Sequence, residues 1–118
     1  MLRKVKYLVM VMLKSKVMYE GISSVLDSLR NSELDEARKR LQALTQVVRT
    51  EKERGNLLAA AGICASMSKA KDGTMQSWDA ARLERAARSI TSNQMADDFD
   101  QGYAETLINY SKLTQKTQ

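Results

Sequence analysis

Residues with chemical potential are few in this chain, and the densest group is Asp97, Asp98 and Asp100. Clustered carboxylates could serve an oxygen-ligated divalent cation, because hard cations take carboxylate oxygens. The spacing argues otherwise. A DDxxD pattern requires an acid at position 101, where Gln101 stands, and on a helix the three side chains fan outward instead of converging. The first turn of a helix is the better use for them, since its unpaired amides and dipole favour negative charge.

A second group shares one predicted helix. Its inward stripe is Ala80, Leu83, Ala87 and Ile90, while Trp78 falls on the side of Arg82 and Arg85, with Arg88 nearby. Trp offers a flat apolar surface and Arg forked donors, so this face could stack on a base, hold phosphate or anchor a protein partner. The competing use of Trp78 is packing back onto the preceding loop, and one aromatic is a poor platform for nucleic acid.

The remaining catalytic inventory is short. With no histidine and one cysteine, the chain lacks the imidazole of Ser-His and Cys-His nucleophilic machinery, a Cys/His zinc site and an intrachain disulfide. Cys64 stands in the run Ala59-Ala60-Ala61-Gly62-Ile63-Cys64-Ala65, where a small buried thiol fits better than a reactive one. Glycine-rich phosphate loops are absent. No catalytic residue, metal or cofactor is predicted, and no family resemblance is apparent.

The elements that must carry these residues are helical. The 118 residues contain no proline, and 43% are hydrophobic with only six aromatics, so the core should be aliphatic, with Met and Ala filling gaps. The predicted fold is all-α, an antiparallel bundle of four to five helices with a long N-terminal helix, forming a single domain over 1–118. Helices are expected at about 2–30, 33–54, 57–71, 75–91 and 94–114.

In the first helix, a heptad reading places Val5, Met12, Tyr19 and Leu26 at one position and Leu8, Ser15, Ile22 and Leu29 at another. Val11, Met18 and Val25 broaden that stripe. Such a helix is about 45 Å long, and its overhang would cover a second subunit. Gly21 marks close contact or a mild kink.

Ser32 is the expected cap of the second helix, with Ser32-x-x-Asp35 approximating a capping box. Leu34, Ala37, Leu41, Leu44 and Val48 turn inward, and Glu36–Arg40 and Asp35–Lys39 fit i,i+4 pairs. Gly55-Asn56 reads as a break. The alternative is an unbroken helix from Leu34 to about Lys71 with Gly55, Ala59, Gly62 and Ser66 as a small-residue seam. Asp72-Gly73 is the firmest stop, and Thr74 or Ser77 begins the next helix. The last starts near Asn93, with Met95, Phe99, Tyr103, Thr106, Leu107, Tyr110 and Leu113 on one face.

The N-terminus imitates a targeting signal. Basic Arg3, Lys4 and Lys6 precede the apolar run Tyr7 to Leu13, and Lys14 and Lys16 close it. Seven apolar residues fall far short of the roughly 20 needed to span a membrane, so no transmembrane segment is predicted. Peripheral membrane contact is the lesser reading beside a helix of the bundle. Initiation at Met1, Met10, Met12 or Met18 is open.

Together these features favour a non-enzymatic, cytoplasmic interaction protein that self-associates through Tyr7, Leu8, Val11 and Met12. The alternative is a nucleic-acid or phosphate-ligand binder using Trp78, Arg82, Arg85 and Arg88, compatible with a net charge of +5. An enzyme borrowing a cofactor in a pocket between subunits is a third reading.

Overall fold

The computed structural model describes residues 17–71 and 79–116, and every regular element among them is helical. Helix α1 is described over 17–30 and is followed by α2 (Leu34–Leu44), α3 (Glu51–Lys71), α4 (Ala80–Thr91) and α5 (Asp98–Lys116). No strand occurs among the described residues. None of their helices is long and apolar enough to cross a membrane.

Helix α3 packs on α2 and α5, and α5 also receives α4. All five helices contribute to one hydrophobic cluster, whose bulkiest fully enclosed members include Leu29, Ile63, Leu83 and Leu107. Alanine supplies the close contacts: Ala37, Ala59, Ala60, Ala87 and Ala104 are inaccessible to solvent. This is the aliphatic, alanine-filled interior that the composition predicts.

In α1 the buried positions are Met18, Ile22, Val25, Leu26, Ser28 and Leu29. Tyr19, placed inside by the heptad reading, is 66% exposed. The stripe 18, 22, 25, 29 follows the 3.6-residue period of a straight helix, from which a 3.5-residue template drifts. The expected residues 2–16 of this helix, and with them its overhang, lie outside the described residues.

The α1–α2 turn falls at Asn31 as expected, but Ser32 has a different role. Its φ is 62°, its amide donates to the Leu29 carbonyl, and the Glu33 amide donates to the Ser28 carbonyl. These bonds form a Schellman closure of α1, with Ser32 at the left-handed position usually held by glycine. Ser32 therefore does not cap α2. Glu33 occupies the cap without a side-chain bond. Ala37, Leu41 and Leu44 form the buried stripe, with Leu34 and Val48 packed beside it. Glu36 pairs with Arg40 at 3.2 Å, whereas Asp35 pairs with Arg38 at 3.1 Å instead of Lys39.

The break before α3 is also displaced. Helix α2 ends at Leu44, residues 45–50 form a connection, and α3 then runs through Gly55-Asn56 without interruption. Thr50 and Glu53 start it reciprocally: the Glu53 amide donates to Thr50 Oγ1 at 3.1 Å, and the Thr50 amide to Glu53 Oε1 at 3.2 Å. This capping box pairs two otherwise unpaired amides. The seam reading holds for Gly55, Ala59 and Ser66, which are buried.

Helix α4 starts at Ala80, not near 75. Asp79 is extended and accepts the Arg82 amide at 2.7 Å; Thr74 and Ser77, like Asp72-Gly73, lie outside the described residues. Leu83 and Ala87 are buried, with Ile90 packed against the core. Helix α5 starts at Asp98 instead of Asn93. Asn93 directs a turn by accepting the Met95 amide on Oδ1, and Asp97 and Asp100 exchange amide-to-carboxylate bonds across the first turn. Met95 stands outside the helix and is 86% exposed. Thr106, Leu107 and Tyr110 hold the inward face, flanked by Tyr103 and Leu113.

Candidate functional site

The site begins with two glycines. Gly55 of α3 lies against the main chain of Phe99 and Tyr103, and Gly102 of α5 lies against the main chain of Lys52. Without a Cβ at either position, the helices approach backbone to backbone. Asn56, the next residue of α3, donates from Nδ2 to the Gly102 carbonyl at 2.7 Å and contacts Thr106 Oγ1 at 3.0 Å. One amide thus fixes the register of two helices whose residues are 46 positions apart.

Beside this crossing, α1, α3 and α5 enclose a groove of about 760 Å³. Its apolar part comes from Met18, Ile22, Leu26 and Leu113, with Tyr19 exposed at its margin. Ser23, Asp27, Glu53, Asn109 and Lys112 add polar groups. Lys52 and Glu105 bridge α3 to α5 with a 3.3 Å ion pair, a half-exposed contact worth at most about 1 kcal/mol.

The groove is lined by both charged and apolar side chains. Its three carboxylates are engaged: Asp27 with Arg30 at 2.9 Å, Glu105 with Lys52, and Glu53 with the amides of Arg49 and Thr50. They are dispersed, and no group of three His, Cys, Asp or Glu side chains able to hold a metal occurs among the described residues. The acidic cluster at 97–100 serves the start of α5.

Cys64 is 3% exposed. Burial pushes its thiol above the ordinary value of 9.0, with the Arg38 guanidinium pulling the other way. That guanidinium also donates to Ser68 Oγ at 2.7 Å, joining α2 to α3. A thiol held protonated is a poor nucleophile.

The residues singled out by spacing do not assemble at the groove. Arg82, Arg85 and Arg88 are exposed on α4, outside the groove lining, and Arg88 contacts Glu84 of the same helix at 2.5 Å. Trp78 lies outside the described residues, and so do Tyr7, Leu8, Val11 and Met12. The groove residues Glu105 and Asn109 went unnoticed because their helix was assigned by its apolar stripe, and Asn56 reads as part of a helix break. Asn56 gave the one usable signal: an amide directly after glycine inside a helix marks a close crossing as readily as a break.

Fold and site together define an all-α protein with a mixed polar and apolar groove between three helices. No protein-family model, curated protein or solved structure matches the chain.

Proposed function

We propose that this chain is a non-catalytic interaction protein, built as an antiparallel bundle with a long N-terminal helix, that self-associates through Tyr7, Leu8, Val11 and Met12. The observation that carries this reading is the apolar surface at the N-terminal end of described α1, where Val17 is 52% and Tyr19 66% exposed. The apolar run Tyr7 to Leu13 lies upstream in sequence, separated from Val17 by Lys14, Ser15 and Lys16, and exposed apolar side chains of this kind favour cover by a partner. The engaged carboxylates of the groove support binding over catalysis. A single buried thiol suits a reducing cytoplasm.

Sedimentation of the full chain beside a chain starting at Met18 tests the proposal. The full chain is expected to sediment as a dimer or larger species and the shortened one as a monomer. Equal monomeric behaviour of both overturns it.

The exposure of Arg82, Arg85 and Arg88 favours a second reading, a phosphate or nucleic-acid surface on α4. The Glu84 carboxylate weighs against it by occupying Arg88. Binding of a labelled oligonucleotide at low salt decides the matter, because phosphate contacts are strongest there. No binding removes this reading.

A further inference from the structure

We draw no further inference here: the strongest candidate, the apolar floor of the groove between α1, α3 and α5 formed by Met18, Ile22, Leu26 and Leu113, belongs to the site already described, its carboxylates Asp27 and Glu105 are already matched by Arg30 and Lys52, and nothing among the described residues shows what covers it.

Discussion

Gly55 and Gly102 hold reciprocal positions at the α3–α5 crossing. A Cβ on Gly55 would lie 2.9 Å from the Tyr103 amide nitrogen and closer still to the Phe99 carbonyl oxygen, while one on Gly102 would meet the Lys52 carbonyl. Neither obstacle is a side chain that could rotate away. Helix propensity alone favours Ala over Gly by about 1 kcal/mol, but separating two packed helices costs more. Gly55→Ala and Gly102→Ala should each lower stability by about 2–3 kcal/mol in urea titrations. The double variant should lose less than the sum, because both substitutions open the same contact. Gly21→Ala should be milder, since its Cβ meets the Leu44 side chain. A gain in stability for Gly55→Ala would show that the helices do not touch there.

Ser32 is the non-glycine residue with positive φ among the described residues. The left-handed conformation costs an L-residue about 1–2 kcal/mol, partly offset by the greater freedom glycine has when unfolded. Ser32→Gly should raise stability by roughly 0.5–1 kcal/mol. Ser32→Ala, which keeps a Cβ, should show no such gain. A destabilised glycine variant would contradict a left-handed residue at this turn.

Ser66 is 4% exposed and its hydroxyl has no hydrogen-bond partner. An unpaired buried hydroxyl loses its water without compensation, at a cost of about 1–3 kcal/mol. Ser66→Ala should therefore stabilise the chain by about 1 kcal/mol, seen as a higher urea midpoint with an unchanged slope. A loss on substitution would mean that the hydroxyl is bonded.

Burial raises both the Cys64 thiol and the Tyr110 phenol above their ordinary values of 9.0 and 10.0. Below those values both groups are protonated whether the chain is folded or not, so their contribution to stability is level through neutral pH. As pH rises past 9.0, the unfolded thiol ionises while the buried one keeps its proton, and stability is lost until the folded group also titrates. Tyr110 adds a second decline above 10.0. Cys64→Ala should reduce the first decline when its stability profile is compared with that of the natural chain. Equal slopes would place the thiol in water.

What sequence revealed and concealed follows from how each signal arises. The stripes Ala37-Leu41-Leu44 and Leu83-Ala87, and the burial of Cys64, reflect apolar spacing that a helix converts directly into a face. Boundaries depended on residues with two uses. Gly55-Asn56 has the form of a helix end followed by a cap, yet both residues serve the approach of α5, an element more than 40 positions away. The true break at 45–50 contains neither glycine nor proline; its β-branched Thr45, Val47, Val48 and Thr50 are poor helix formers individually, and Thr50-x-x-Glu53 was the readable signal. Ser32 stood between two helices and closed the earlier one. The groove was illegible because three separate helices form it, and no local period reports their meeting.

The crossing of α3 and α5 carries one more implication. Where main chain rests on main chain, the spacing is already at its minimum, so substitution can only push the two rods apart, and by no less than a methyl group. The same rods carry Lys52, Asn56, Glu105 and Asn109 into the groove, making its width a stepped quantity that cannot be tuned smoothly. Fine adjustment of what the groove accepts is left to side chains that stand clear of the glycine joint, Ser23 of α1 and Asn109 of α5 among them.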